Sequence, residues 1–302
     1  MSVPQAISVA GVKLSIEGAP VPEALHPWRA DARGAELVVR VRTGRPLVPP
    51  GTSSAYGSGF REFGAGHDRL IVVPWNGATH LVTRDPGGGV LRSARFEPDA
   101  ARADVTVASD RPGAALDRGL LEWLVSTRLA RRGGFVLNGC AAVRDGRAMV
   151  FAGGPGSGRS TIARLLAGDP AIRVLTDDRI AIYETPAAGF VATAWPWPEA
   201  GAFRRRGTGV LGAIHRIRRA PALIAEPLPG EAALAAFLGI AEPPTGDPAA
   251  ERRVRETIAR CTERVPTIRL GCPADGRLLR YVGGTRAASS AATVPGLGAS
   301  VR

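Results

Sequence analysis

The apolar positions change their period about a third of the way along the chain. Up to about residue 110 they form short runs, as in Val12-Lys13-Leu14-Ser15-Ile16, Leu37-Val38-Val39-Arg40-Val41, Leu70-Ile71-Val72-Val73 and Val105-Thr106-Val107. Each run is bounded by Gly, Pro, Asp or Asn, which is the pattern of short strands. Breaker-rich loops at Pro46 to Gly59 and Asp85-Pro86-Gly87-Gly88-Gly89 separate them. A helix is then expected from about Ala114 to Arg132, with Leu116, Leu120, Trp123, Leu124 and Thr127 on one face. Arg131-Arg132 suit its C-terminal end, and Gly133-Gly134 stop it.

Beyond this helix the pattern alternates between strand and helix. Phe135 to Val143 and Ala148 to Ala152 read as a hairpin around Asp145-Gly146. Its second strand runs into a glycine-rich stretch, after which Ser160 to Leu166 opens a helix with Ile162, Leu165 and Leu166 inward. Arg173 to Tyr183 reads as one strand, followed by strand-like Phe190 to Thr193 and Val210 to Ile217. Helices are expected around Leu234, Phe237 and Leu238, and again from Asp247-Pro248 with Val254, Ile258 and Cys261 inward. Thr267 to Leu270 reads as a last strand, and the small polar residues from 284 onward as a disordered tail. The expected division is a β-rich N-terminal domain over 1–112, an α/β domain over 113–283 and a tail over 284–302.

The chemistry lies in Gly153-Gly154-Pro155-Gly156-Ser157-Gly158-Arg159-Ser160-Thr161. The phosphate-loop pattern G-x-x-x-x-G-K-[ST] fits here at every fixed position except lysine, where Arg159 stands. Glycines let successive backbone N–H groups turn toward phosphate oxygens, and the helix that follows adds its positive end. The Ser160 hydroxyl is placed to ligate Mg²⁺. Arg159 keeps the charge but is longer, planar and forked. Asp177 and Asp178 follow 17 and 18 residues after Ser160, between Val174-Leu175 and Ile180-Ala181-Ile182. One carboxylate would hold Mg²⁺ and the other would accept a proton from an attacking hydroxyl. The alternative is a strand-end turn with two solvated aspartates, and a plain glycine turn for the loop.

The formal charge is +12, and Lys13 is the only lysine among 39 basic residues. The arginines are spread along the chain, with short clusters at Arg131-Arg132, Arg204 to Arg206 and Arg216 to Arg219. No aromatic interleaving or helix-turn-helix pattern accompanies them, so nucleic acid is not an expected partner. They are read as solvated surface charge that also attracts anionic substrates. No run reaches the roughly 18 to 20 apolar residues a membrane helix needs, and the N-terminal residues lack a secretory pattern. Cys140, Cys261 and Cys272 match no zinc spacing, which points to a reducing, cytoplasmic setting. His26, His67 and His80 are too irregularly spaced for a metal site and are expected at the surface or in turns.

With these motifs in hand, about residues 115 to 245 resemble the HPr kinase/phosphorylase-like superfamily, itself related to phosphoenolpyruvate carboxykinases. The likeness rests on a helix ending in Arg-Arg-Gly-Gly, then FVLNGCAAVRDGRAMVFAGGPGSGRSTIARLL, VLTDDRIAI, TAWPWPEAG and GVLGAI. It is greatest to the stand-alone kinases found beside peptide-modification genes. The resemblance implies a P-loop mixed-sheet kinase domain of the HPr kinase C-terminal type, preceded by a β-rich domain with a possible role in substrate recognition. It implies ATP or GTP with Mg²⁺, and a Ser or other hydroxyl of a peptide, protein or small molecule as acceptor. Gly153 to Thr161 would cradle the phosphates, Ser160 and Asp177 would serve Mg²⁺, and Asp178 would be the general base. Glu199 would sit near the acceptor or the metal; a Pro-rich turn with core tryptophans is its alternative. The family histidine is replaced by Asn138, which can hydrogen-bond but cannot shuttle a proton. Homo-oligomers are also a family trait.

Two rival readings follow from the same residues. Asn138 and Arg159 fit a nucleotide-binding pseudokinase, a partner protein in a biosynthetic complex. Alternatively, the fold could serve another phosphorylated substrate or the reverse transfer, because fold does not fix chemistry.

Overall fold

Among the described residues the chain forms two large mixed sheets and five α-helices. A computed structural model describes residues 4–50, 52, 60–63, 68–97, 101–108, 116–197, 203–273 and 275–289. The N-terminal sheet contains β1 (Gln5–Val9), β2 (Val12–Glu17), β3 (Arg29–Ala30), β4 (Leu37–Thr43), β5 (Phe60–Phe63), β6 (Asp68–Trp75), β7 (Ala78–Arg84), β8 (Val90–Phe96) and β9 (Arg102–Val107). Their order is β3-β1-β2-β4-β9-β8-β7-β6-β5, with β2–β4 and β4–β9 parallel. Tight hairpins follow from local chemistry: Ala10-Gly11 and Asn76-Gly77 both take positive φ at the two central positions. Such turns match the twist of the strands they join.

The chain then crosses through α1 (Arg118–Arg131) into a second sheet. Asp117 starts the helix by accepting the Leu120 N–H at 2.7 Å, three residues beyond the expected start. Every residue of α1 except Arg118, Arg128 and Arg131 is buried, so it is a core helix rather than the one-faced helix its spacing suggests. Its apolar side chains pack with both sheets in one cluster, which also includes Val136, Ala181, Trp195 and Trp197.

The second sheet contains β10 (Gly134–Arg144), β11 (Arg147–Ala152), β12 (Arg173–Thr176), β13 (Arg179–Thr185), β14 (Gly189–Ala194), β15 (Thr208–Arg219), β16 (Ile224–Pro227) and β17 (Thr267–Cys272). β10, β13, β14, β15 and β11 pair successively, and β11 pairs again with β10, so these five strands close on themselves. β15 then continues into a parallel pairing with β17. Strands flanked on both faces are mostly apolar, as β10 is except at Asn138 and Arg144. One face meets α3 (Gly230–Leu238) and α4 (Pro248–Arg264), and the other meets α2 (Arg159–Ala167) and α5 (Arg277–Ser289). α5 carries helix through Ser289, past residue 284 where the tail was expected to begin; residues 290–302 lie outside the described set. No helix among the described residues is long and apolar enough to cross a membrane.

His215 on β15 lies fully buried beneath this face. Its ring stacks on Phe151 at 4.8 Å, with Nδ1 3.2 Å from the Val150 carbonyl and Nε2 3.1 Å from the Tyr281 hydroxyl. A carbonyl only accepts, so Nδ1 carries the proton and Nε2 accepts from Tyr281. Burial pushes the imidazole pKa down to about 4, with the Val150 bond acting weakly the other way. An unfolded histidine takes its proton near pH 6.5, so between pH 6.5 and 4 only the unfolded chain gains one. Stability should therefore fall as pH drops through that window, by up to about 3 kcal/mol from this residue. Urea titrations from pH 7 to 4.5 should show the loss, and His215→Gln should flatten it. An unchanged slope in the variant would remove His215 as the cause.

Candidate phosphate-binding site

β11 ends at Ala152 and α2 begins at Arg159, so Gly153 to Gly158 form the connecting loop. Gly153 N–H donates to the Asn138 carbonyl at 3.1 Å, which ties the loop to β10. Gly156 and Gly158 adopt φ of 75° and 104°, a region that disfavours side chains. A Cβ on Gly153 would collide with Ser157 Oγ and lie 2.9 Å from Ile217 Cγ1, whereas Cβ atoms on Gly154, Gly156 or Gly158 would meet nothing within 4 Å. The loop is thus packed at its root and open along its rim. The first intrahelical bond runs from Ile162 N–H to Gly158 O. The amides of Arg159, Ser160 and Thr161 therefore precede the helical ladder and present its positive end. Pro155, Gly156 and Ser160 are exposed, Thr161 is half-buried, and the Ser157 hydroxyl is buried without a hydrogen-bond partner.

Asp177 and Asp178 occupy a bend between β12 and β13, where a single strand was expected. Both segments run antiparallel to β10; the register slips at Leu175, within β12, while Ala141–Thr176 and Asn138–Arg179 keep one register across the bend. Both carboxylates are buried, at 3% and 6% exposure, which is unusual for aspartate and demands partners. Asp177 Oδ1 accepts the Phe203 N–H at 3.1 Å. Asp178 holds its bend by accepting the Gly139 N–H through its carbonyl at 2.8 Å.

Arg159 closes this group. Its Nη1 donates to the Asp178 carbonyl at 2.9 Å and to Asn138 Oδ1 at 3.4 Å, and lies 3.7 Å from the Asp178 carboxylate. The loop arginine, Asn138 and one aspartate thus meet at the start of α2. Asn138 in turn donates through Nδ2 to Glu242 Oε1 at 2.9 Å. Glu242 Oε2 lies 3.2 Å from Arg179 Nε, and Arg179 Nη1 donates to Glu122 in the middle of α1. Glu122 also accepts Trp195 Nε1 at 3.0 Å and Arg118 Nε at 3.2 Å. A chain of alternating charge therefore links the loop to the buried helix.

Glu242, Arg179 and Glu122 were not anticipated from the sequence, although Arg179 directly follows the acidic pair. Glu199 lies outside the described residues. His80 corrects an expectation: it is 2% exposed within β7, edge-on to Trp75 at 5.2 Å, because the strand turns it inward. Burial, then Arg95, lowers its pKa. Arg92 and Arg179 are likewise buried rather than solvated, each held by carboxylates. Cys140, on the same strand as Asn138, is kept a thiol because burial, reinforced by Asp177, raises its pKa.

The arrangement can hold an anion on the loop amides, with the Asp178 carboxylate 3.7 Å from Arg159 where the loop ends. Mg²⁺ is commonly held by one or two carboxylates together with substrate phosphates; Ser160, which is exposed, and Asp177, which is buried, carry oxygen donors of that kind. Among the described residues no cluster of three or more His, Cys, Asp or Glu forms a self-sufficient metal site. Compared with known proteins, the chain matches no family profile and no curated protein.

Proposed function

We propose that this chain is an ATP- or GTP-dependent, Mg²⁺-dependent phosphotransferase of the HPr-kinase-like type, acting on a hydroxyl of a peptide, protein or small molecule. The observation that carries the reading is the convergence of Arg159, Asn138 and Asp178 at the end of a glycine loop that leads into a helix. On this reading the second sheet is a P-loop kinase domain, and the N-terminal sheet helps to recognise the acceptor.

Bound Mg-nucleotide would supply the phosphoryl group and neutralise its developing charge. The loop amides and the α2 N-terminus hold the phosphates, and Ser160 with Asp177 holds the ion. Asp178 accepts the hydroxyl proton of the acceptor, and Arg159 supplies positive charge where the transfer takes place. Asn138, fixed by Glu242, holds Arg159 in place.

Calorimetry with MgATP tests the site. The native protein should bind, and Gly153→Ala should weaken binding by about tenfold or more, since its Cβ has no room at the loop root. Absent binding by the native protein, or equal binding by the variant, would remove the loop from the account. A non-catalytic nucleotide-binding partner is the second reading. It is favoured by the engagement of Arg159 with both the carbonyl and the carboxylate of Asp178.

A further inference from the structure

β11, β15 and β17 run parallel, and their C-terminal ends lie side by side. Ala152 is level with Arg216, and Arg219 with Cys272. Between these ends and α2 lies a cavity of about 490 Å³, lined among others by Ser157, Thr161, Leu165, Arg219, Pro221 and Cys272. Open α/β sheets bind ligands at the carboxyl ends of parallel strands. The volume falls within the roughly 300–1,000 Å³ of small-molecule sites. Ser157 and Gly158 belong to both the loop and the cavity, so a ligand on the loop extends into it. The acidic pair lies along the opposite flank of β11, where β10 pairs.

We propose that this cavity takes the nucleoside of the nucleotide, with the acceptor entering from the β10 flank, a proposal that rests on the phosphate-binding reading above. The walls are mostly apolar, from Ile162, Leu165, Ala220 and Pro273. Pro221 and Pro273 have no N–H, and the Ala220 N–H is taken by the Cys272 carbonyl at 3.2 Å. The Pro221 carbonyl accepts from Arg277 at 3.1 Å. Ser157 and Thr161 belong to the phosphate end, so beyond them the base meets Arg219 and apolar shape rather than a reading pattern of donors and acceptors. Such a pocket accepts adenine and guanine alike. Exposed Arg219 stands at the rim, where a guanidinium can lie against the base or the ribose-phosphate link.

Calorimetry with MgATP, MgGTP and Mg-tripolyphosphate separates the claims. The two nucleotides should bind within about fivefold of each other and at least about tenfold tighter than tripolyphosphate. Ala220→Trp fills the cavity, and Pro221→Trp does so from an exposed loop position that leaves the packed core intact. Each should abolish the nucleotide advantage while tripolyphosphate affinity stays unchanged, with melting temperature confirming the fold. Undiminished ATP binding by the folded variants would place the nucleoside elsewhere and overturn the proposal. ATP and GTP affinities differing by more than about a hundredfold would overturn the absence of base reading. Failure of the native protein to bind either tripolyphosphate or nucleotide would instead defeat the phosphate-loop reading beneath it.

Discussion

Glu122→Ala should lower the unfolding free energy by about 3–5 kcal/mol, the usual effect of removing one partner from a buried ion pair. Glu122 is 2% exposed and faces Arg179, which is 3% exposed. Removing the carboxylate leaves Arg179 with Glu242 as its remaining ionic partner, 3.2 Å away. The Trp195 indole N–H, on a fully buried side chain, loses its acceptor as well. An unmade buried hydrogen bond alone costs about 1–3 kcal/mol. Chemical denaturation at neutral pH measures the total, and a loss below about 1 kcal/mol would show that water or neighbouring groups replace the carboxylate. Glu122→Gln should fall between, because it retains an acceptor for Trp195 while giving up the charge. The same variants should weaken nucleotide binding, since Arg179 positions Glu242 and Glu242 positions Asn138.

The parts legible in the sequence are those set by neighbours along the chain. Asp145-Gly146 announced the β10–β11 hairpin, and both residues take the positive φ that its turn requires. Asp247-Pro248 announced α4, and Asp247 Oδ1 caps it by accepting from Ala249 and Ala250. The glycine loop was found by its spacing between strand and helix. β7 and β8 were overlooked because Thr, His, Arg and Ser interrupt their apolar residues, although Asn76-Gly77 marks the hairpin into β7. The polar chain was illegible for a different reason: its links from Asn138 through Glu242 and Arg179 to Glu122 join residues 57 to 104 apart and meet only through the sheet. On a helix wheel Glu122 reads as solvent-facing, and only the second sheet explains its burial. The bend at Asp177-Asp178 likewise needs β10, whose Gly139 N–H donates to the Asp178 carbonyl at 2.8 Å.

Asp178→Asn should reduce γ-phosphate release by about 10²–10⁴-fold while leaving nucleotide affinity within a few-fold, if Asp178 is the general base. Asparagine preserves the volume and the backbone bonds at the bend, but it cannot take a proton from an acceptor hydroxyl. Binding should survive because the phosphates rest on the loop amides, and loss of the carboxylate frees Arg159 from a partner only 3.7 Å away. The second reading predicts a different result: no release from the native protein, because Arg159 keeps the carboxylate occupied. Asn138→His with Arg159→Lys then becomes the deciding variant. Arg159 reaches Asn138 and both the carbonyl and the carboxylate of Asp178 through Nη1 at the tip of its long planar group. The shorter lysine carries its ammonium on a different stem, which moves the charge off Asp178. Histidine at 138 can still donate to Glu242 and can also carry a proton. Release that appears only in the double variant, and disappears again when Asp178→Asn is added, would identify the native arginine as the brake. Release already present in the native protein and lost in Asp178→Asn would identify the same arginine as part of working machinery.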